Sequence, residues 1–288
     1  MAIMDYNQFK YIFNEKIFEK SKADLLEKIS KYPARYIGLF RPSKPKAKIL
    51  QNLLQSHEIR FGDAFETLIE SYLRIKGLSI LQGKFKDANH EDLGIDLFFN
   101  KESKFFFVEL KVRDDHDSTK KRGQILNFEK KLNALISTYN EADLIGIFYF
   151  IDPSLNKNKN FYEDEIKKMR NDYNTEIHIF YGKSLFEYLG YFDIWDELLI
   201  YLTNWKMEIP DLPEINFDLN AQNTFEEIKD LSPLIYRRLF ENDKIFDEII
   251  LTLFPQRKTL KLLYDYFSTK EKDIYKTIAK KLFDRLQN

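Results

Sequence analysis

Apolar positions recur at helical spacing near the start of the chain: Phe9, Ile12, Phe13, Ile17 and Phe18, then Leu25, Leu26 and Ile29, which predicts a helix over 4–32. The segment RPSKPKAK (41–48) breaks the pattern with two prolines, four basic residues and no acid, and predicts a loop, either a solvated linker or a phosphate-contacting arm. From about 57 a second helical face appears through Phe61, Phe65, Leu68, Ile69, Tyr72 and Leu73, and Gly77 stops it. Strand-like runs follow at 78–83, 93–100 and 104–112, with NKES between the last two as a four-residue hairpin loop. The polar run RDDHDSTKKRGQ (113–124) leads into a helix over 124–140. The uniformly apolar 144–151 has the character of a strand buried on both faces. A helix over 163–173, a strand over 176–182 and a short helix capped by Ser184 complete this part, and helical patterning resumes after about 205. Short-looped strands followed by alternating helix and strand predict an α/β fold, with a mixed central sheet flanked by helices. Helical additions lie at both ends, giving boundaries at 1–56, 57–205 and 206–288.

Composition narrows the class. Of 288 residues, 44% are hydrophobic and 16% aromatic, with 9 Gly and 8 Pro, which excludes disordered and collagen-like chains. Lys and Arg number 45 against 46 Asp and Glu, so a polycationic tail protein is excluded while a local basic patch is not. The absence of cysteine removes disulfides, zinc ribbons, iron–sulfur clusters and thiol nucleophiles. No leader-like apolar core or membrane-length apolar run is present, so a soluble, cytoplasmic protein is expected. Residues 206–254 carry five basic and eleven acidic residues, whereas 258–288 carry eight basic and four acidic. Either a solvated helix face or an approach to nucleic acid accounts for that basic end.

The candidate chemistry lies in the strands. Asp96 falls in one strand and, after twelve residues, Glu109-Leu110-Lys111 ends the next. Strand alternation turns Glu109 and Lys111 to one face and Leu110 to the other. With Asp96 opposite, two carboxylates and an ammonium converge at the end of an apolar strand, where unpaired charge is costly. Two hard oxygen ligands, with the Leu110 carbonyl and waters, suit Mg²⁺, and Lys111 is placed to hold an attacking water or offset charge developing on a phosphate.

The arrangement GID (94–96), then VELK (108–111), with Glu66 on the preceding helix, resembles the PD-(D/E)XK nuclease superfamily, and VELKVRDDHDSTKKRGQ resembles type II restriction endonucleases more specifically. The likeness spans about 57–190. It implies a restriction-endonuclease-like core and a Mg²⁺-dependent enzyme cutting double-stranded DNA at a short sequence, leaving 5′-phosphate and 3′-hydroxyl ends. Asp96 and Glu109 would be metal ligands, Lys111 the catalytic lysine and Glu66 an accessory acid. Ile95 stands where the motif has proline, so Asp92 is the alternative ligand, and Glu70 stands behind Glu66.

Beside the active strand, Arg113, Lys120, Lys121 and Arg122 are candidates to grip the DNA backbone or read base edges, and Ser118, Thr119 and Gln124 to bond phosphate. Cutting both strands needs two sites, so a homodimer is expected, and the resemblance implies a separate DNA methyltransferase in the cell. A repair or junction-resolving nuclease of the same superfamily, or a DNA-binding module without catalysis, are the rival readings.

Overall fold

The computed structural model describes residues 2–86 and 90–287. Two compact units emerge, one of residues up to 13 with 61–208, the other of 14–60 with the residues from 209 onward. Strands among the described residues are β1 (Ser79–Ile80), β2 (Lys84–Lys86), β3 (Asp92–Gly94), β4 (Leu97–Lys101), β5 (Lys104–Lys111), β6 (Leu144–Phe150) and β7 (Glu176–Tyr181).

The first unit is built on a mixed sheet ordered β1-β4-β5-β6-β7, antiparallel across β1–β4–β5 and parallel across β5–β6–β7. Every residue of β6 is buried, as its unbroken apolar run requires for a strand with neighbours on both sides. Its parallel partners need crossovers. These are α5 (Ser118–Ile136) between β5 and β6 and α6 (Lys159–Asp172) between β6 and β7, which follow α1 (Tyr6–Phe18), α2 (Ser21–Lys31), α3 (Ala34–Ile37) and α4 (Pro45–Ile75) in the chain. One face of the sheet packs Phe107, Phe148 and Phe150 with Ile125, Phe128, Leu132 and Leu135 of α5 and Tyr162 and Ile166 of α6. Two more helices, α7 (Ser184–Leu189) and α8 (Phe192–Glu208), follow β7.

The second unit is helical. Its core joins α2 and the first part of α4 to α9 (Ala221–Ile228), α10 (Pro233–Glu241), α11 (Asp243–Ile245), a π-helical turn at Phe246–Ile250, α12 (Leu251–Leu253), α13 (Lys258–Ser268) and α14 (Asp273–Gln287). The contributing residues include Leu25, Leu26, Ile49, Leu53, Tyr236, Phe240, Leu263 and Leu282. No helix among the described residues is long and apolar enough to cross a membrane.

The structure departs from the sequence reading at several joints. The helix expected over 4–32 breaks at Lys20, whose backbone is left-handed at φ 58°. The loop expected over 41–48 ends early because Pro45 opens α4, a position where a missing N–H costs nothing. That helix then runs 31 residues, through 57. The strand expected over 78–83 is only Ser79–Ile80 within the main sheet. The segment 93–100 splits, because β3 pairs with β2 in a separate two-stranded sheet while β4 joins the main one. The hairpin loop is Glu102–Ser103 alone, both at positive φ (50° and 65°), the type I′ geometry that matches strand twist. Asp117 accepts the Lys120 N–H at 2.8 Å and so starts α5 at Ser118, inside the supposed polar loop. α6 likewise starts earlier, at Lys159. Ser184 does not cap its helix; its hydroxyl closes back on the Tyr181 backbone.

Candidate active site

β4 and β5 are registered with Leu97 opposite Val108, which brings Asp96 and Glu109 together at the same end of the pair. Asp96 therefore lies in the bend just before β4 and not within a strand. Two hydrogen bonds from backbone N–H groups hold that bend. The Ile95 N–H donates to the Gly83 carbonyl at 2.7 Å, and Asp96 Oδ2 accepts the Leu110 N–H at 2.8 Å. Gly83 is required for the first, since a Cβ there would fall 2.6 Å from the Ile95 oxygen.

Glu109 is 2% exposed and makes two ion pairs. Its Oε1 lies 2.7 Å from Lys111 Nζ and its Oε2 meets Lys131 Nζ. Lys111 Nζ also donates to the Leu110 carbonyl at 2.8 Å and stands 3.4 Å from Asp96 Oδ2. Burial alone would lower the Lys111 ammonium, but Glu109 and Asp96 outweigh it and hold its pKa above the ordinary lysine value. Lys131 Nζ is 3.5 Å from Asp96 Oδ1, so each carboxylate faces both ammonium groups.

Glu66, on α4, has no hydrogen bond or ion pair among the described residues. Burial, reinforced by the charges of Asp96, Asp63 and Glu109, pushes its pKa up to about 7. Asp92 lies in β3 and pairs with Lys86 at 3.6 Å, and Glu70 pairs with Arg74 at 2.7 Å.

A divalent cation is tested by the oxygens present. Asp96 Oδ2, Glu109 Oε1 and the Leu110 carbonyl surround one point, and the Lys111 ammonium already stands there as a cation. Three hard oxygens with two formal negative charges match the preference of Mg²⁺. Among the described residues no set of three or more Asp, Glu, His or Cys side chains meets in metal-holding geometry, so the backbone carbonyl is needed to complete the donor set.

The expected DNA contacts fall in two groups. Ser118, Thr119, Lys120 and Arg122 are exposed on the first turns of α5. Lys121 is tied down, donating to Asn158 Oδ1 at 3.1 Å and lying 4.5 Å over the Phe161 ring. Gln124 is half-buried and accepts the Tyr162 hydroxyl at 2.5 Å, six residues beyond the start of α5 and not at its opening. Arg113 lies 3.9 Å from Asp115.

Sequence reasoning missed two features. Lys131 is 5% exposed on α5 and shares the apolar stripe of Phe128 and Leu135, three residues after one and four before the other. A lysine on such a stripe is the available signal. Asp114 is fully buried just after β5 and accepts the Asn158 N–H and amide at 2.9 Å each and the Tyr181 hydroxyl at 3.1 Å. Its partners lie 44 and 67 residues away, and no local pattern announces them.

A family model described as type II restriction endonuclease, HinfI, matches residues 5–92 and 76–206. No curated protein and no solved structure matches the chain. The match extends over well more than half of the sequence and takes in both strands and all four charged residues of the cluster, so the chain belongs to the HinfI family of type II restriction endonucleases, site-specific deoxyribonucleases that act on DNA.

Proposed function

We propose that the Asp96–Glu109–Lys111 cluster is the hydrolytic centre of a PD-(D/E)XK core spanning 57–205, cutting double-stranded DNA at a short sequence with Mg²⁺. The observation that carries this is the convergence of Asp96 Oδ2, Glu109 Oε1 and the Leu110 carbonyl on the Lys111 ammonium. Asp96, Glu109 and the Leu110 carbonyl would hold the divalent ion, which would supply charge neutralisation at the scissile phosphodiester. Lys111 then moves from its oxygen cradle to orient the attacking water and to donate hydrogen bonds to the phosphate as charge builds. Lys131 remains behind the carboxylates as a positioning residue. Glu66, whose carboxyl burial keeps from ionising fully until about neutral pH, is the accessory acid.

The first turns of α5, with Ser118, Thr119, Lys120 and Arg122, face the DNA backbone, and Arg113, Lys121 and Gln124 brace that segment or reach the strand beside it. Two strands need two sites, which two copies of the chain supply, and residues 1–56 and 206–288 add recognition or dimer contacts. A DNA methyltransferase of matching specificity protects the host's own copies of the site.

The test is cleavage of plasmid DNA with Mg²⁺ and then with EDTA, by wild type, Glu109→Gln and Lys111→Ala. Discrete fragments are expected from wild type with Mg²⁺ alone, and a fall of about 10³-fold or more in each variant with DNA binding retained. Full activity in either variant removes the assignment.

A further inference from the structure

Between residues 28 and 57 the sequence holds seven Lys or Arg and no Asp or Glu, in a chain where acids slightly outnumber bases. The cations flanking this stretch are neutralised: Lys22 pairs with Glu227 at 3.6 Å and Arg60 with Asp24. None of the seven within it meets a carboxylate among the described residues. Lys48 donates to Gln51 at 2.8 Å, and Arg35 lies 4.3 Å over the Tyr32 ring. Arg35, Arg41, Lys44 and Lys46 are exposed.

An apolar tip sits in the middle of these charges. Leu39 is 86% and Phe40 97% exposed, on the short connection between α3 and α4. The connection is held stiffly. Gly38 leaves α3 so tightly that a Cβ would fall 2.4 Å from the Ala34 oxygen, and Pro42 and Pro45 restrict the far side. A solvated linker has no use for two fully exposed large apolar side chains on a braced turn.

We propose that this segment of the helical unit is a second DNA-gripping surface, in which the unpaired cations hold phosphates and Leu39–Phe40 enters a groove as a wedge. Charge complementarity selects the occupant. A polyanion satisfies all the cations at once, whereas a second copy docking the same surface on itself would bring like charges together. Apolar wedges flanked by Lys and Arg are a recurrent way to unstack a base step while phosphate contacts hold the duplex. The proposal takes DNA from family membership and does not depend on which residues hydrolyse it.

The experiment measures binding of the full chain to a roughly 30-bp duplex by fluorescence anisotropy in EDTA across a salt series, where the hydrolytic assignment has no influence. The triple variant Arg41→Gln, Lys44→Gln, Lys46→Gln is expected to weaken binding about tenfold or more and to lower the slope of log K against log salt by about 2–3, near 0.9 per lost phosphate contact. Phe40→Ala is expected to weaken binding several-fold at unchanged slope, and to abolish the fluorescence rise of a 2-aminopurine placed at the wedged step. All four side chains project to solvent, so the fold survives these changes, and unaltered melting confirms it. A triple variant with wild-type affinity and slope overturns the proposal. So does altered self-association in sedimentation with DNA binding intact, which assigns the surface to a second copy. A neutral Phe40→Ala with no change in probe signal overturns the wedge.

Discussion

Each unit buries carboxylates, and Asp218 of the helical unit and Glu109 of the sheet unit are satisfied in opposite ways. In the helical unit Asp218 is 1% exposed and accepts the backbone N–H groups of Gln256 at 2.9 Å and Thr259 at 2.8 Å. Those donors are neutral, fixed in the chain and aligned with the start of α13, where a negative charge is welcome. In the sheet unit Glu109 is satisfied by the ammonium groups of Lys111 and Lys131, which also stand 3.4 and 3.5 Å from Asp96, itself anchored by the Leu110 N–H. Amide donors cannot leave without unfolding the helix, so Asp218 is a fastening. Ammonium donors on flexible stems can give way to another cation, which under the proposed function makes the Asp96–Glu109 pair an exchangeable site. Asp114 resembles Asp218: its partners are the uncharged Asn158 and Tyr181, and it pins the segment after β5 to the loop before α6.

The sharpest break of that comparison is Lys131→Met. It leaves buried negative charge with one counter-ion fewer, at a cost of about 3–5 kcal/mol in EDTA. Cleavage is expected to fall by about 10–100-fold, the usual effect of removing a group that orients metal ligands. Added Ca²⁺ or Mg²⁺ should raise the melting temperature of Lys131→Met more than that of wild type, because the ion takes over the missing charge. An equal or smaller rise would show that the lysine is a fastening too. Asp218→Asn is the counterpart and the smaller effect: about 2 kcal/mol lost with two charge-assisted bonds, an equal drop with and without divalent ions, and unchanged cleavage per folded molecule. A specific loss of cleavage in Asp218→Asn would erase the distinction between the two regions.

How legible these regions were follows from sequence distance. Glu109 and Lys111 share β5, and Asp96 stands just ahead of β4, which a tight turn joins to β5, so all three lie within sixteen residues and hairpin pairing brings them to one place. The all-apolar β6 was equally plain. Lys131 is hidden because EKKL in an amphipathic helix has the texture of a solvated face, and only the three-dimensional stripe shows which lysine turns inward. The split of β3 from β4 was invisible because both halves are β-like, and pairing partners rather than propensity divide them. The start of α5 was lost inside a run of charges, where Asp117 is a cap and its neighbours Asp114 and Asp115 are not. The seven-cation stretch is plain in the sequence, but that none of its cations meets a carboxylate among the described residues becomes visible only with the ion pairs in place.

Glu66 gives the mildest test, and one that separates the regions by pH. Its pKa stands at about 7 in the folded protein against an ordinary glutamate value near 4.5 in the unfolded chain. Between those values the folded state binds more protons, so this group's contribution turns increasingly unfavourable as pH rises and is fully so above about 7. Glu66→Gln removes the dependence. In EDTA the variant should therefore gain in melting temperature relative to wild type on going from pH 5 to pH 8, by a small margin because the group is only partly buried. A divalent ion held by Asp96 and Glu109 replaces part of the negative field around Glu66 with positive charge, lowering its pKa, so the same comparison repeated with Mg²⁺ should show a shallower gap. A gap that closes with rising pH in EDTA would mean that Glu66 is anionic and favourably placed in the folded protein. A gap indifferent to Mg²⁺ would mean that no cation is held within its electrostatic reach.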